Sequence, residues 1–227
     1  MISRKPAKEP LPGPRRARPE PARALDRRSW LDAATDAIAE GGFGAARILT
    51  LAQRLGVTRG SFYWHFRNHD DFIRALLERW RDGELGALAA WRLDTGDAEA
   101  DVRGAVHLLL TEMARDAKAL RVELAVQDFA RRNPLAASIS VEVNRARMRQ
   151  GRAMLEALTG DPDRAHALTL LLYACITGAR LMLAASPRNA KTDAMAESLD
   201  RIIGEALVAS NDARAAQDDT AIKSGLP

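Results

Sequence analysis

Turn-forming residues cut this chain into segments, and the segments have the period of a helix. The breaks fall at Gly41–Gly42, Gly56, Asn68, Asp94–Asp97, Asn133–Pro134, Gly160–Pro162 and Ser186–Pro187. Glycine takes left-handed backbone without strain and proline cannot continue a helix, so these are stops rather than interior positions. Between them apolar residues recur three and four apart: Trp30, Ala34, Ala37 and Ile38 within 27–40, and Met195, Leu199, Ile202, Ile203 and Ala206 within 191–208. No strand alternation competes, so the fold class is all-α. Asp161 ahead of Pro162 predicts a helix N-cap followed by proline at the first helical position.

Six of the ten prolines lie in residues 1–24, where Met1, Ile2 and Leu11 are the only large apolar side chains. Such a segment cannot bury enough surface to fold, and it is expected to be a disordered basic arm. Residues 210–227 read as a flexible polar tail. Eight of the eleven aromatics (Trp30, Phe43, Phe62, Tyr63, Trp64, Phe66, Phe72 and Trp80) fall within residues 30–80. A small unit has little core volume and gains most from large rings. A compact N-terminal domain at 25–80 and a larger Ala- and Leu-rich helical domain at 81–209 are therefore expected. A single cysteine, Cys175, rules out an internal disulfide, and no apolar signal segment follows Met1, so a reducing, cytoplasmic location is expected. The apolar run 168–184 is interrupted by Thr169, Thr177, Gly178 and Arg180, which suits a buried core helix and not a membrane span.

Charge is unevenly placed. Residues 1–24 hold seven basic residues (Arg4, Lys5, Lys8, Arg15, Arg16, Arg18, Arg23) against Glu9 and Glu20, a balance of +5 in a chain whose total is +4. From Gly41 to His69 there is no Asp or Glu, although the chain has 30, and that stretch carries Arg47, Arg54, Arg59, Arg67, His65 and His69. A polyanion is the partner such a surface attracts. For the arm two readings stand: a solvated leader, or a tether to nucleic acid.

Residues 48–66 have the spacing of a helix-turn-helix. Leu51, Ala52 and Leu55 face inward on a first helix that ends at Gly56, Val57 fills the corner, and Thr58 is expected to cap a second helix through its hydroxyl. At about 100° per residue Phe62 and Phe66 point the same way and form the buried pair, while Trp64 points away from them. Gly60 and Ser61 share the outer face with Trp64, and Tyr63 and His65 flank it. In a major groove Trp64 and Ser61 would meet base edges, Tyr63 and His65 would reach phosphates, and Gly60 would let the backbone approach closely.

Leu51-Ala52-Gln53-Arg54-Leu55-Gly56-Val57 followed by Ser61-Phe62-Tyr63-Trp64-His65-Phe66-Arg67-Asn68 resembles the DNA-binding domain of TetR-family transcriptional regulators, over residues 28–78. The resemblance implies that Thr58, Arg59, Ser61, Tyr63, Trp64 and His65 contact DNA. Arg47 stands where the family often has a capping Ser or Thr; either Thr50 caps a shorter helix or the end is left to water, and Arg47 itself can reach a phosphate. His69 stands where the family usually has Lys, which makes a phosphate contact there weaker and pH-sensitive. His65 and His69 have a zinc-helix spacing, but no Glu lies between them and no third ligand is apparent, so no metal is expected. No phosphate-binding glycine loop or nucleophile elbow occurs and Cys175 lies in an apolar run; the chain reads as a non-enzyme without a cofactor.

Residues 165–185 are apolar nearly all round, with Ala174, Gly178 and Ala179 permitting close approach. With 191–208 they can supply half of a four-helix bundle completed by a two-fold homodimer; the alternative is that both fill their own domain core. A dimer places two recognition helices about one DNA turn apart, which reads a palindrome. The resemblance further implies a repressor whose C-terminal domain holds a small effector, with the helix over 70–88 linking pocket to DNA. The pocket is expected among helices near 100–117, 120–132 and 135–158. Its candidate lining residues are Trp91, His107, Met113, Gln127, Phe129, Asn144, Met148 and Tyr173, the aromatic or polar exceptions on aliphatic helices. With no obvious charged cluster, an apolar or amphipathic effector is expected. The alternative function is a DNA-binding architectural or partner-recruiting dimer with no effector.

Overall fold

The computed structural model describes residues 25–90, 95–109 and 116–185, with isolated positions between 194 and 205. The expected arm at 1–24, Trp91, Met113, most of the expected helix 191–208 and the tail at 210–227 lie outside the described residues. In chain order the elements are α1 (Arg27–Gly41), a 3-10 turn (Phe43–Ala45), α2 (Ile48–Leu55), α3 (Arg59–Phe62), α4 (His69–Ala90), α5 (Ala98–His107), α6 (Ala117–Ala130), α7 (Pro134–Thr159) and α8 (Pro162–Ala185). The fold is all-α, with no strand among the described residues.

Local chemistry explains most of these boundaries. Asp26 caps α1 by accepting the Ser29 amide at 2.8 Å, and that bond holds its carboxyl below the usual range. Asn133 accepts from the Ala136 amide at 2.9 Å, with Pro134 opening α7. Asp161 accepts from the amides of Asp163 and Arg164 at 3.0 and 3.1 Å, as its position before Pro162 predicts. Gly56 and Gly160, at φ 66° and 64°, end α2 and α7 in the left-handed region that favours glycine. One expectation changes, and one open alternative closes. Thr58 is the N-cap of α3 but its hydroxyl makes no capping bond; its carbonyl accepts the Ser61 amide at 3.1 Å instead. Arg47 is the N-cap residue of α2, so Thr50 lies inside that helix and no side chain caps it.

Two apolar cores result. In the first, Trp30, Phe62, Phe66 and Phe72 are fully enclosed, Phe62 meeting the other three at centroid distances of 5.4, 5.1 and 5.3 Å. Leu51, Ala52, Ala34, Ile38 and Leu77 complete its α1, α2 and α4 walls. This core does not close at residue 80. Val122 and Val126 of α6 and Ala136 and Ile139 of α7 belong to it, and Phe43 stacks on Phe129 at 4.2 Å with 9° between the rings. The second core joins α5, α7 and α8 through Val102, Val106, Leu155, Ala165, Leu172 and Ile176. The tight crossing of α7 and α8 is at Gly151, where a Cβ would stand 3.1 Å from Thr169 Cγ2. Of the three small residues on α8, Ala179 is buried while Ala174 and Gly178 face out of the chain.

Because Phe62 touches three other rings in one enclosed cluster, Phe62→Ala is expected to cost about 3–5 kcal/mol, the usual loss for a large aromatic removed from a core. Equilibrium urea unfolding of the two proteins measures it; a loss below about 1 kcal/mol would mean that the cluster collapses around the vacancy.

Candidate nucleic-acid interface and effector cavity

The recognition segment is shorter than a helical wheel over 58–66 implies. After the single α-turn of α3 the chain tightens: the amides of Tyr63, Trp64 and His65 donate to the carbonyls of Gly60, Ser61 and Phe62 at 3.1, 3.3 and 3.0 Å. The Phe66 amide still reaches Phe62 at 3.1 Å, so both rings enter the core. Trp64 is thereby turned outward and is 87% exposed, more than any other large apolar side chain described. Tyr63 is half exposed and His65 partly so, and Thr58, Arg59 and Gly60 are exposed beside them. Exposed apolar surface of this kind is a feature of contact sites on soluble proteins.

The acid-free stretch acquires carboxylates from elsewhere in the fold. Arg54 forms a two-pronged pair with Glu40 of α1, which holds the Glu40 carboxyl below its usual range. Arg67 pairs with Asp71 at 3.3 Å, while Asp71 accepts the Arg67 amide at 3.1 Å and donates its own amide to the Asn68 side chain at 2.8 Å. These bonds, the Arg67 amide foremost, lower the Asp71 carboxyl and fix the start of α4. Arg47 and Arg59 have no ion pair among the described residues; Arg59 donates to the Tyr63 hydroxyl at 3.3 Å. His69 is exposed at the first position of α4. Sequence reasoning missed Arg27, whose guanidinium lies 5.0 Å above the Phe66 ring; residues so far apart in the chain carry no local signal of that contact.

A cavity of about 1250 Å³ lies between α4, α5, α6, α7 and α8. Aliphatic side chains such as Leu88, Leu124, Met154 and Ile176 form much of its wall. Into it face Glu84 of α4, Glu123 of α6 and Arg147 of α7. Arg147 donates to Glu84 at 2.6 Å and to Glu123 at 2.7 Å, all three side chains being largely buried. Burial opposes the Arg147 charge, but the attraction and hydrogen bonds of Glu123 and then Glu84 outweigh it and hold its pKa above the ordinary value. The expected absence of a charged cluster is thus corrected. Of the expected lining residues, Gln127, Met148 and Tyr173 line the cavity. Asn144 sits beside it, accepting from the Tyr173 hydroxyl at 2.8 Å. Phe129 is turned toward Phe43 and the first core, and His107 is exposed at the end of α5.

Residues 31–76 match the description of bacterial regulatory proteins of the tetR family. The match covers the helix-turn-helix part of the chain, from within α1 into α4. The chain is 31% identical over 96 residues to the HTH-type transcriptional regulator TtgR of Pseudomonas putida, a match covering 40% of this chain and 44% of that protein. The chain therefore matches less than half of that relative's length. The likeness of fold extends further: a transcriptional regulator from Rhodococcus sp. Rha1, 25% identical, superposes with a TM-score of 0.67 over 80% of this chain and 95% of that one. A second solved structure, a regulator from Saccharomonospora viridis in complex with choline, is 21% identical with a TM-score of 0.65, over 78% of this chain and 94% of its own.

Removing the cation from the triad would take away the guanidinium that bridges two largely buried carboxylates, so Arg147→Met is expected to destabilise the protein by about 3–5 kcal/mol at neutral pH. Urea unfolding of both proteins tests this; a deficit below about 1 kcal/mol would contradict it.

Proposed function

We propose that this chain is a ligand-responsive transcriptional regulator, a repressor, that binds a palindromic operator as a homodimer and leaves it when a small apolar or amphipathic effector fills the cavity. The observation that carries this reading is α4. In its first turn Asp71 is bonded to Arg67 and Asn68, which follow the recognition segment, and Glu84, Ala87 and Leu88 near its other end wall the cavity. A helix of 22 residues is a rod about 33 Å long at 1.5 Å per residue. A shift of the cavity wall therefore moves the DNA-facing end, and spacing between two such ends decides whether both fit one operator.

On the DNA side, Trp64 and Ser61 are assigned to base edges. Thr58, Arg59, Tyr63 and His65 are assigned to the phosphates, with Arg47 and His69 at the margins and Gly60 at the closest backbone approach. The dimer is assigned to the outer face of α8, where Leu170, Leu171 and Leu181 are half or more exposed around Ala174 and Gly178, together with 191–208. The size of the cavity favours an effector over a dimer that only bends DNA or recruits a partner, and the choline complex of a protein with this fold supports a small-molecule occupant.

Selection of bound duplexes from a random pool supplies the operator. Against it, Tyr63→Phe and His65→Ala are expected to weaken binding to operator and scrambled duplex alike, whereas Trp64→Ala changes the ratio between them. An unchanged ratio for Trp64→Ala would remove Trp64 from the base-reading role. A Cβ added at Gly178 meets nothing within 4 Å among the described residues. Gly178→Leu is accordingly expected to leave folding intact and weaken dimerisation by about 1–3 kcal/mol, the cost of overpacking a close contact. Sedimentation across a concentration series reads this, and a wild-type monomer at all concentrations would overturn the dimer.

A further inference from the structure

Carboxylates outnumber cations in the wall of the cavity between α4, α5, α6, α7 and α8. Among the described residues that line it, Glu84, Asp101, Asp116 and Glu123 stand against one guanidinium, that of Arg147, a formal balance of −3. Asp101 is buried and accepts from the Thr95 hydroxyl at 2.8 Å, and Asp116, exposed at the rim, accepts the Ala119 amide at 2.8 Å. Such neutral donors satisfy a carboxylate without cancelling its charge. Residues 91–94 and 110–115, outside the described residues, carry Arg92 and Arg115 against Asp94 and Glu112, a balance of zero. The donors of the wall, by contrast, are already committed. Arg147 donates to Glu84 at 2.6 Å and to Glu123 at 2.7 Å, the Tyr173 hydroxyl to Asn144 at 2.8 Å, and the Thr169 hydroxyl to the Ala165 carbonyl at 2.6 Å.

We propose that the cavity selects an amphipathic organic cation, an ammonium head on an apolar chain. The inference rests on the reading that this cavity takes the effector. Moving an ion out of water is costly unless fixed opposite charge receives it. Here that charge is in place beforehand: Glu84 and Glu123, both largely buried, share the guanidinium of Arg147, so the triad carries one negative charge in excess, which a monocation cancels. An anionic head is repelled by the same wall and gains the guanidinium only by taking it from both glutamates. A neutral head leaves the excess in place. The aliphatic side chains of Leu88, Leu124, Met154 and Ile176 suit the chain, and a volume of about 1250 Å³, above the roughly 300–1,000 Å³ of ordinary ligand pockets, has room for head and chain together. A cation beside Glu84 also competes with Arg147 for that acid. Its effect therefore falls on α4, the helix whose first turn is bonded to Arg67 and Asn68.

The test uses three ligands with one alkyl chain and different heads: decyltrimethylammonium, decanol and decanoate. Isothermal titration calorimetry measures their binding to the full-length protein below their micelle concentrations. The cation is expected to bind about tenfold or more tighter than the alcohol, and the carboxylate more weakly than the alcohol. Glu84→Gln removes one charge from the triad, and Met148→Lys adds an ammonium to the lining while leaving the triad intact. Each should lower the affinity for the cation by about tenfold and leave that for decanol within about twofold. Melting temperatures show that the variants fold; if Glu84→Gln does not, Met148→Lys carries the comparison. Tightest binding of decanoate, equal binding of cation and alcohol, no binding of any of the three, or a cation affinity unchanged in the folded variants overturns the proposal. Each ligand is also added to the protein on its operator. Release by decanol or decanoate but not by the cation overturns the cation and leaves the regulatory reading in place. Tight, charge-dependent binding of the cation with no change in operator affinity supports the cation site and removes the effector role.

Discussion

Burial of the Phe62 ring organises the helix-turn-helix end of this protein. A single helical turn has no stability of its own, because nucleation fixes several residues for very few hydrogen bonds. α3 is one such turn, lacks a side-chain cap and passes at once into tighter bonding. What holds it is the ring on its last residue, enclosed by Trp30, Phe66 and Phe72. The roll of the segment about that ring sends Trp64 to the outside. Exposure of the indole is thus a consequence of core packing two residues earlier, and Arg54–Glu40 and Arg67–Asp71 only pin the flanks.

Local signals were the legible ones. Gly56, Asn133, Asp161 and Gly160 announce helix ends because a cap or a left-handed turn is chemistry between near neighbours in the chain. Phe62 and Phe66 could be paired by spacing alone, since one turn separates them. The length of α3 was not legible: a wheel presumes constant pitch, and the chain tightens at Tyr63. Nor was the silent hydroxyl of Thr58. In the cavity, Gln127, Met148 and Tyr173 could be picked out as exceptions on aliphatic helices, but Phe129 met the same criterion and faces Phe43. Spacing within α6 cannot say which of its two apolar faces meets which neighbour.

The Glu84–Arg147–Glu123 triad was invisible for a different reason. Each member, viewed on its own helix, has the look of an ordinary surface charge, and only the packing of α4, α6 and α7 brings them within 2.6 and 2.7 Å. Buried charges tolerate little disorder, since a partner lost leaves a desolvated ion behind. Such a contact is made or broken, not stretched. Its position on α4, the helix that also carries His69, gives the cavity wall and the end of the recognition segment a common element.

Val122, Val126, Ala136 and Ile139 close the aromatic core from below, although they belong to helices whose other neighbours line the cavity. The helix-turn-helix is therefore not a detachable module. A chimera that exchanged residues 25–80 for the matching stretch of another protein with this fold would set foreign rings against these four aliphatic side chains. Its success would depend on volume matching at the seam more than on linker choice. The surface that joins the helix-turn-helix to the helices around the cavity is itself a hydrophobic core.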